Sequence, residues 1–375
     1  MKAIVVGAGV LGASTAYHLA RDGAAVTLVD RADEGRATSA GAGIVCPWGT
    51  RIEDPSAYTL LAGGARYYPH LVAALAEDGE QDLGYRQVGA LFVPDDPAEL
   101  NAAERRVRAR AVDAPEAGRI ERLSPSQAQA LFPPLRKDLP ALHVSGGARV
   151  NGRLLAAAMS RAAATRGAQV IEGSAELILR GSRAAGVRVD GQVIEADAVV
   201  VAAGAWASAL LAPAGIQLAV APQRGQIIHL RLPGTDTTHW PTLQPLSSHY
   251  LLAFDDCRVV IGATRELGSG FDYRPTAGGV AEVLNAGLAV APGLAGWTLH
   301  EIRIGFRPLA SDNRPMLGPL RGIDNLLIGN GLGASGLTMG PYCGALLARA
   351  ALGRETEVAF ADFDPLRPAA APTPA

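Results

Sequence analysis

The chain is predicted to adopt an α/β fold of two lobes: a Rossmann-like dinucleotide-binding domain and a second, mostly antiparallel α+β domain, both discontinuous in sequence. Three observations predict this. The first thirty residues read strand, glycine turn, helix, strand, acid. The order strand, glycine turn, helix returns in the last 75 residues. Between them lie short strands with period-2 alternation, the pattern of an antiparallel sheet with one face turned to solvent or a ligand.

At the N-terminus, residues 2–6 form a short buried-strand pattern, and residues 7–12 supply Gly7, Gly9 and Gly12 in GxGxxG spacing. Gly7 allows the tight turn, Gly9 lets backbone approach a pyrophosphate, and Gly12 lets helix and sheet pack closely. Unpaired N–H groups at the start of the helix over 13–21 then hold phosphates. The second strand, 25–29, ends in Asp30, placed to accept hydrogen bonds from ribose hydroxyls.

Further along, residues 151–166 read as an amphipathic helix leading to a strand over 168–172. Asp190-Gly191 is a hairpin turn between 187–189 and 192–196. The continuous apolar run from Ala198 suits a parallel strand covered on both faces. Its small end, Ala202, Ala203 and Gly204, can lie beside a bound cofactor. The second lobe covers 85–145 and 222–300, with strands at 225–230, 250–254 and 258–263. Finally, a strand at 325–329, a glycine-rich turn at 330–336 and a helix at 337–352 return to the first lobe. The positive end of that helix can stabilise developing negative charge; a purely structural turn is the alternative.

With 34 basic and 36 acidic residues the charge is balanced, so no footprint for nucleic acid exists. Cys46, Cys257 and Cys343 match neither a metal motif nor a disulfide framework and fit a reducing, cytoplasmic compartment. No run approaches the roughly 18–20 apolar residues of a membrane span. Attachment at the periphery of an inner membrane stays open, as does homo- or hetero-oligomer formation. The proline- and alanine-rich residues 366–375 are expected to be a disordered tail.

Several blocks in this order resemble the FAD-dependent oxidoreductases of the D-amino-acid oxidase superfamily, in particular D-amino-acid dehydrogenases and glycine/sarcosine oxidases. They are Gly7 to Gly12 with Asp30; Thr38-Ser39 to Gly43; the strand ending in Trp206; residues 222–226; Tyr250 with residues 262–264; Gly305-Phe306-Arg307-Pro308 leading to residues 314–318; and residues 329–344. The resemblance implies a non-covalent FAD, because no cysteine lies between Cys257 and Cys343 where covalent-flavin relatives carry one. It assigns the FAD-binding domain to 1–84, 146–221 and 301–365, and the substrate domain to 85–145 and 222–300. Cofactor contacts are expected from Gly7, Gly9, Val10, Leu11, Gly12, Asp30, Arg31, Thr38, Ser39, Gly43 and Ile44. Further contacts fall on Ala203, Gly204, Trp206, Gly305, Arg307, Gly331, Gly333, Ala334, Ser335, Gly336, Leu337 and Thr338.

The resemblance also implies the reaction, oxidative deamination of a small amino acid by hydride transfer from Cα to flavin N5. The expected catalytic set is Arg307, Tyr250 and Trp48. A planar guanidinium suits bidentate capture of an α-carboxylate, and Tyr250 matches a position whose hydroxyl meets the same group. A structural salt bridge for Arg307, and simple packing for Tyr250 and Trp48, are the alternatives. Where some relatives carry a second cation, this chain has Leu332 and Ala334. The acceptor, dioxygen or a quinone or electron-transfer partner, stays open. So do a 2-hydroxy-acid or secondary-amine substrate and a catalytic subunit inside a hetero-oligomer.

Overall fold

A computed structural model describes residues 1–94, 96–245 and 249–368. Its first sheet has six strands in the order Met316–Pro319, Leu326–Asn330, Ala198–Val201, Lys2–Val6, Ala25–Asp30 and Gln169–Glu172. All neighbours run parallel except the antiparallel pair at the Met316–Pro319 edge. Strand residues alternate between two cores. Ala3 and Val5 pack with the helices Val10–Arg21, Gly152–Thr165 and Gly336–Ala351. Ile4 and Val6 face the opposite side, covered by the three-stranded meander Ala175–Arg180, Arg183–Val189 and Gln192–Glu195. Burial on both faces explains why residues 198–201 are continuously apolar. Asp190 and Gly191, at φ 48° and 81°, make the turn of that meander, as their dipeptide predicts.

The second sheet has eight strands: Thr298–Ala310, Val220–Arg231, Arg258–Gly262, Tyr250–Phe254, Thr242–Gln244, Ala90–Phe92, Ala141–Val144 and Ile120–Leu123. Only the pair Thr242–Gln244 with Ala90–Phe92 is parallel. One face, with Leu243, Leu251, Ala253 and Ile261, packs under the helix Ala277–Val290. The other carries Ile227, Leu252, Val260 and Tyr250 and turns toward the first lobe.

Two expectations change. The return to the first lobe does not begin at residue 301: the strand Thr298–Ala310 pairs along its length with Val220–Arg231 in the antiparallel sheet. Its period-2 pattern is masked by residues such as Gly305 and Pro308, which read as a loop. Of the tail expected over 366–375, Arg367 is held by the Asp312 carboxylate and the Arg314 and Pro315 carbonyls; residues 369–375 lie outside the described residues. Among the described residues no helix is long and apolar enough to cross a membrane.

The helical layer holds a half-buried histidine that makes the fold sensitive to acid. The Tyr67 hydroxyl lies 2.6 Å from Nε2 of His18, and burial together with Arg21 pulls the His18 pKa down to about 4. On the second sheet burial and Arg303 pull His229 down to about 3. Both imidazoles are neutral in the folded chain but protonate near pH 6.5 when unfolded, so the unfolded state binds more protons below that value. Stability is therefore full above pH 6.5 and falls as pH drops toward 4, by up to about 3 kcal/mol per histidine. Thermal melting between pH 7 and 4.5 should show the decline, and His18→Gln, which keeps an acceptor for Tyr67 without a titrating ring, should shallow it.

Candidate active site

A cavity of about 1290 Å³ runs between the carboxyl ends of the parallel sheet and the inward face of the antiparallel sheet. At the parallel-sheet end, Gly7 takes φ 106° and has no room for a side chain, since a Cβ would lie 2.4 Å from the Ala202 carbonyl oxygen. Gly9 is different. It caps the helix at φ −65°, and the only heavy atom near a Cβ there is Thr38 Oγ1 at 3.3 Å; beyond it lies the cavity. The Thr38 hydroxyl accepts from Val10 N at 2.9 Å, while other N–H groups of the first turn have no intrahelical acceptor. Asp30 accepts from Ala8 N at 2.5 Å through Oδ2, and from Ala32 N and Arg36 Nη1 through Oδ1. Oδ2 keeps one lone pair for a hydroxyl of a ligand.

A second helix start faces the same space. The residues Gly336, Leu337 and Thr338, which open the 16-residue helix Gly336–Ala351, line the cavity. The Tyr68 hydroxyl holds the Leu337 carbonyl, and Thr338 Oγ1 donates to the Ile44 carbonyl at 2.9 Å. Asn330 ties the two glycine turns together, donating to the Gly204 carbonyl and accepting from Gly331 N.

At the other end, Arg307 extends from the Thr298–Ala310 strand across Gly225, where a Cβ would meet its guanidinium atoms at 2.5–2.6 Å. Nη1 donates to the Thr264 carbonyl at 3.0 Å and lies 3.3 Å from Gln223 Oε1. Among the described residues no carboxylate pairs with it, and the Tyr250 phenol stands beside it. Burial raises the Tyr250 pKa against the lowering effect of Arg307 and Arg265, so the hydroxyl stays protonated and can donate. Arg265 also lines the cavity, exposed, with no ion pair among the described residues. His249 contacts Glu282 at 3.4 Å, and burial depresses its pKa. The acidic side chains of the lining, Asp30, Asp33 and Glu176, all belong to the parallel-sheet end. The antiparallel end is therefore electropositive.

Residues 2–350 match the family model described as FAD dependent oxidoreductase. The chain belongs to the DAO family of FAD-dependent oxidoreductases. It is 49% identical to the uncharacterized oxidoreductase YurR of Bacillus subtilis over 96% of this chain and 98% of that protein. It is 31% identical to a glycine oxidase of Pseudomonas aeruginosa over 97% and 98%. Among solved structures, an iminodiacetate oxidase of a Chelativorans species superimposes with a TM-score of 0.94 at 54% identity, over 97% and 98% of the two chains.

The cavity fits the FAD of this family. It offers a phosphate-approach glycine at the start of one helix, a carboxylate with a free lone pair, and a second helix start at a distance along the same space. Gly7, Gly9, Val10, Leu11, Asp30, Arg31 and Thr38 line the part suited to the adenosine and phosphates. Gly43, Ile44, Ala203, Gly204, Trp206, Gly305 and Arg307, with Gly333 to Thr338, line the remainder.

Four expected site residues lie outside the lining. Trp48 is 1% exposed and packs in the core cluster shared with the helices; it sits in a short 3-10 turn whose carbonyls accept from Arg110 and Arg106. Ser39 is likewise absent from the lining, and its backbone carbonyl accepts from Arg153 Nε. At Gly12 a Cβ would strike the Gly7 carbonyl oxygen at 1.8 Å, so this glycine serves helix packing. Gly331 is packed beside the Arg314 carbonyl. In turn, Arg36, Gln244, Arg265 and Asn330 reach the cavity without a motif to mark them. Cys46 also does so, beside Gln244.

Gly225 yields a direct test of the carboxylate end. Gly225→Ala should push the Arg307 guanidinium off its seat and raise KM about tenfold with little loss of stability, since a misplacement of this order costs one to two decades. Steady-state kinetics beside a melting curve checks it.

Proposed function

We propose that this flavoenzyme oxidises the C–N bond of small N-substituted glycines, secondary amines of the iminodiacetate and sarcosine type, to glyoxylate and the released amine. The observation that carries the reading is Arg307, a guanidinium set on a glycine floor at the cavity end, without a carboxylate among the described residues to neutralise it. A half-buried charge of this kind is matched by an anionic partner, and an α-carboxylate fits its fork. The electropositive setting supplied by Arg265 favours a doubly anionic substrate over a neutral amine. The likeness to an iminodiacetate oxidase and a glycine oxidase supports the same class.

Bound FAD supplies a two-electron acceptor for the Cα–N unit. The chain orients the substrate: Arg307 and the neutral Tyr250 phenol hold the carboxylate, which fixes the adjacent carbon in the cavity. No acidic or histidine base lies beside Arg307 in the lining other than His249, which is engaged with Glu282. A substrate amine arriving deprotonated needs none. Water entering after oxidation splits the resulting imine into glyoxylate and amine.

Anaerobic mixing with iminodiacetate, sarcosine, glycine, D- and L-amino acids and 2-hydroxy acids tests this. Bleaching of the flavin absorbance by the secondary amines first, with glyoxylate as product, is expected. Bleaching by hydroxy acids alone, or by none of the panel, would overturn the reading. Admitting air after bleaching then shows whether dioxygen is an acceptor.

A further inference from the structure

We propose that Glu266 is a positioning residue for the carboxylate anchor: it clamps Thr264 from behind the antiparallel sheet, and the clamped Thr264 carbonyl sets the direction of the Arg307 guanidinium. The inference rests on the reading of Arg307 given above and names the device that aims it.

Arg307 Nη1 donates to the Thr264 carbonyl at 3.0 Å and to Gln223 Oε1 at 3.3 Å. The other guanidinium N–H groups are left for Tyr250 and a ligand. A long side chain keeps its rotamer freedom unless its contacts remove it, so the aim of the fork is decided by whatever holds those acceptors. Thr264, with the shorter bond, is fully buried and fixed at three points. Its N–H donates to the Gln226 carbonyl at 3.3 Å, its hydroxyl accepts from Gln226 N at 2.9 Å, and the same hydroxyl donates to Glu266 Oε1 at 2.7 Å. A hydroxyl has a single proton; with Glu266 taking it, the Thr264 rotor is locked.

Glu266 is itself held on both oxygens. Oε1 also accepts from Gln226 Nε2 at 2.7 Å, and Oε2 receives Nε and Nη2 of the buried Arg224 at 3.0 and 2.5 Å. Backbone bonds between Arg224 and Glu266 run both ways, at 3.0 and 2.9 Å. Burial disfavours the Glu266 charge, but the bonds from Gln226, Thr264 and Arg224 outweigh it and hold the carboxyl below its usual range. The carboxylate is therefore ionised near neutral pH and paired with Arg224, so it fixes Thr264 without drawing Arg307 off the cavity.

The register keeps this network out of the substrate's reach. Successive strand residues point to opposite faces. A Cβ at Gly279 of the Ala277–Val290 helix would meet Gln226 Nε2 at 2.1 Å, while one at Gly225 would meet the Arg307 guanidinium. Gln226 thus lies on the helix side and Gly225 on the cavity side. Thr264, Glu266, Arg224 and Gln226 are all absent from the cavity lining. Glu266 acts only through Thr264 and Arg307.

Calorimetric titration of the FAD-loaded enzyme with methoxyacetate, a carboxylate without an amine, reads the anchor alone. Glu266→Gln should weaken it about tenfold, because a small misplacement of a binding group costs up to two decades. Thr264→Val, which removes the clamped hydroxyl, should weaken it by a similar factor, and Thr264→Ser should restore it. In turnover KM for sarcosine should rise with these factors while kcat and flavin content hold. A double-mutant cycle on kcat/KM, measured below saturation, separates aiming from general loosening. In an Arg307→Ala background Glu266→Gln and Thr264→Val should cost nothing further, since no guanidinium is left to aim. Losses that multiply in that background, a Thr264→Ser as weak as Thr264→Val, or single variants that bind as the wild type does would overturn the proposal. Should Glu266→Gln strand Arg224 and fail to fold, the Thr264 variants carry the same test. If Arg307→Ala itself binds methoxyacetate as the wild type does, the anchor reading falls. If it loses binding while the Glu266 and Thr264 variants keep theirs, only the positioning role falls. If no amine bleaches the flavin and the methoxyacetate pattern still holds, the proposed reaction falls and the positioning role stands.

Discussion

Arg307→Ala is expected to raise KM for N-substituted glycines by more than a hundredfold. Removing one partner of a buried charge-assisted pair costs about 2–5 kcal/mol; the Arg265 cation that also acts on this end is exposed, and Tyr250 supplies one neutral donor beside Arg307. Arg307→Lys should recover little, because an ammonium lacks the planar fork and cannot lie flat over Gly225 while reaching the Thr264 carbonyl. The variant should keep its flavin and its melting temperature, since the strand Thr298–Ala310 is held by its full backbone register and Arg307 has no carboxylate partner among the described residues. Steady-state kinetics with sarcosine and iminodiacetate, run beside melting curves, measures both halves. A KM within a few-fold of wild type would show that the carboxylate is bound elsewhere.

Gly9→Val should separate folding from cofactor binding. The backbone at Gly9 is open to any residue, and the protein itself offers a side chain there one close neighbour, Thr38 Oγ1 at 3.3 Å. What the glycine leaves room for is a ligand approaching the helix start. The expected product is a folded, colourless protein whose FAD affinity has dropped by at least about two decades, as close backbone approach to a pyrophosphate is lost. Gly12→Val, by contrast, collides with the Gly7 carbonyl oxygen and should fail to fold. Flavin content by absorbance and circular dichroism of the same samples distinguish the two.

Much of the first lobe was legible because its signals are local. Three glycines at fixed spacing, a strand apolar throughout and an acid at the end of the next strand each answer to one short-range demand, and the register of Lys2–Val6 with Ala25–Asp30 follows from them. The cofactor and the two-sheet plan came with the family blocks. The substrate end was less legible, since its geometry is made by pairing between distant segments. Arg307 and Tyr250 carried family matches, but that Gln244 stands opposite Tyr250 follows from a strand of three residues with no motif. Trp48 carries no such register signal: it is buried in a short turn whose carbonyls accept from Arg110 and Arg106 of a remote helix. The strand Thr298–Ala310 was divided between lobes because Gly305 and Pro308 resemble a break; their neighbours across the sheet supply the order that the local sequence lacks.

That strand also acts as a ruler. Gly305 and Phe306, which touch the first lobe through Ala40 and the Gly35 carbonyl, precede Arg307 directly in the chain. The spacing between the cofactor wall and the carboxylate anchor is thus written in covalent bonds, at about 3.3 Å per residue, and no side-chain substitution can lengthen it. Elsewhere on that face no such constraint holds, because Gln244, His249 and Arg265 come from other segments than the strand Thr298–Ala310. Divergence toward new amines is then confined to one side of the cavity: the reacting carbon stays at a fixed depth while the remainder of the molecule is free to change.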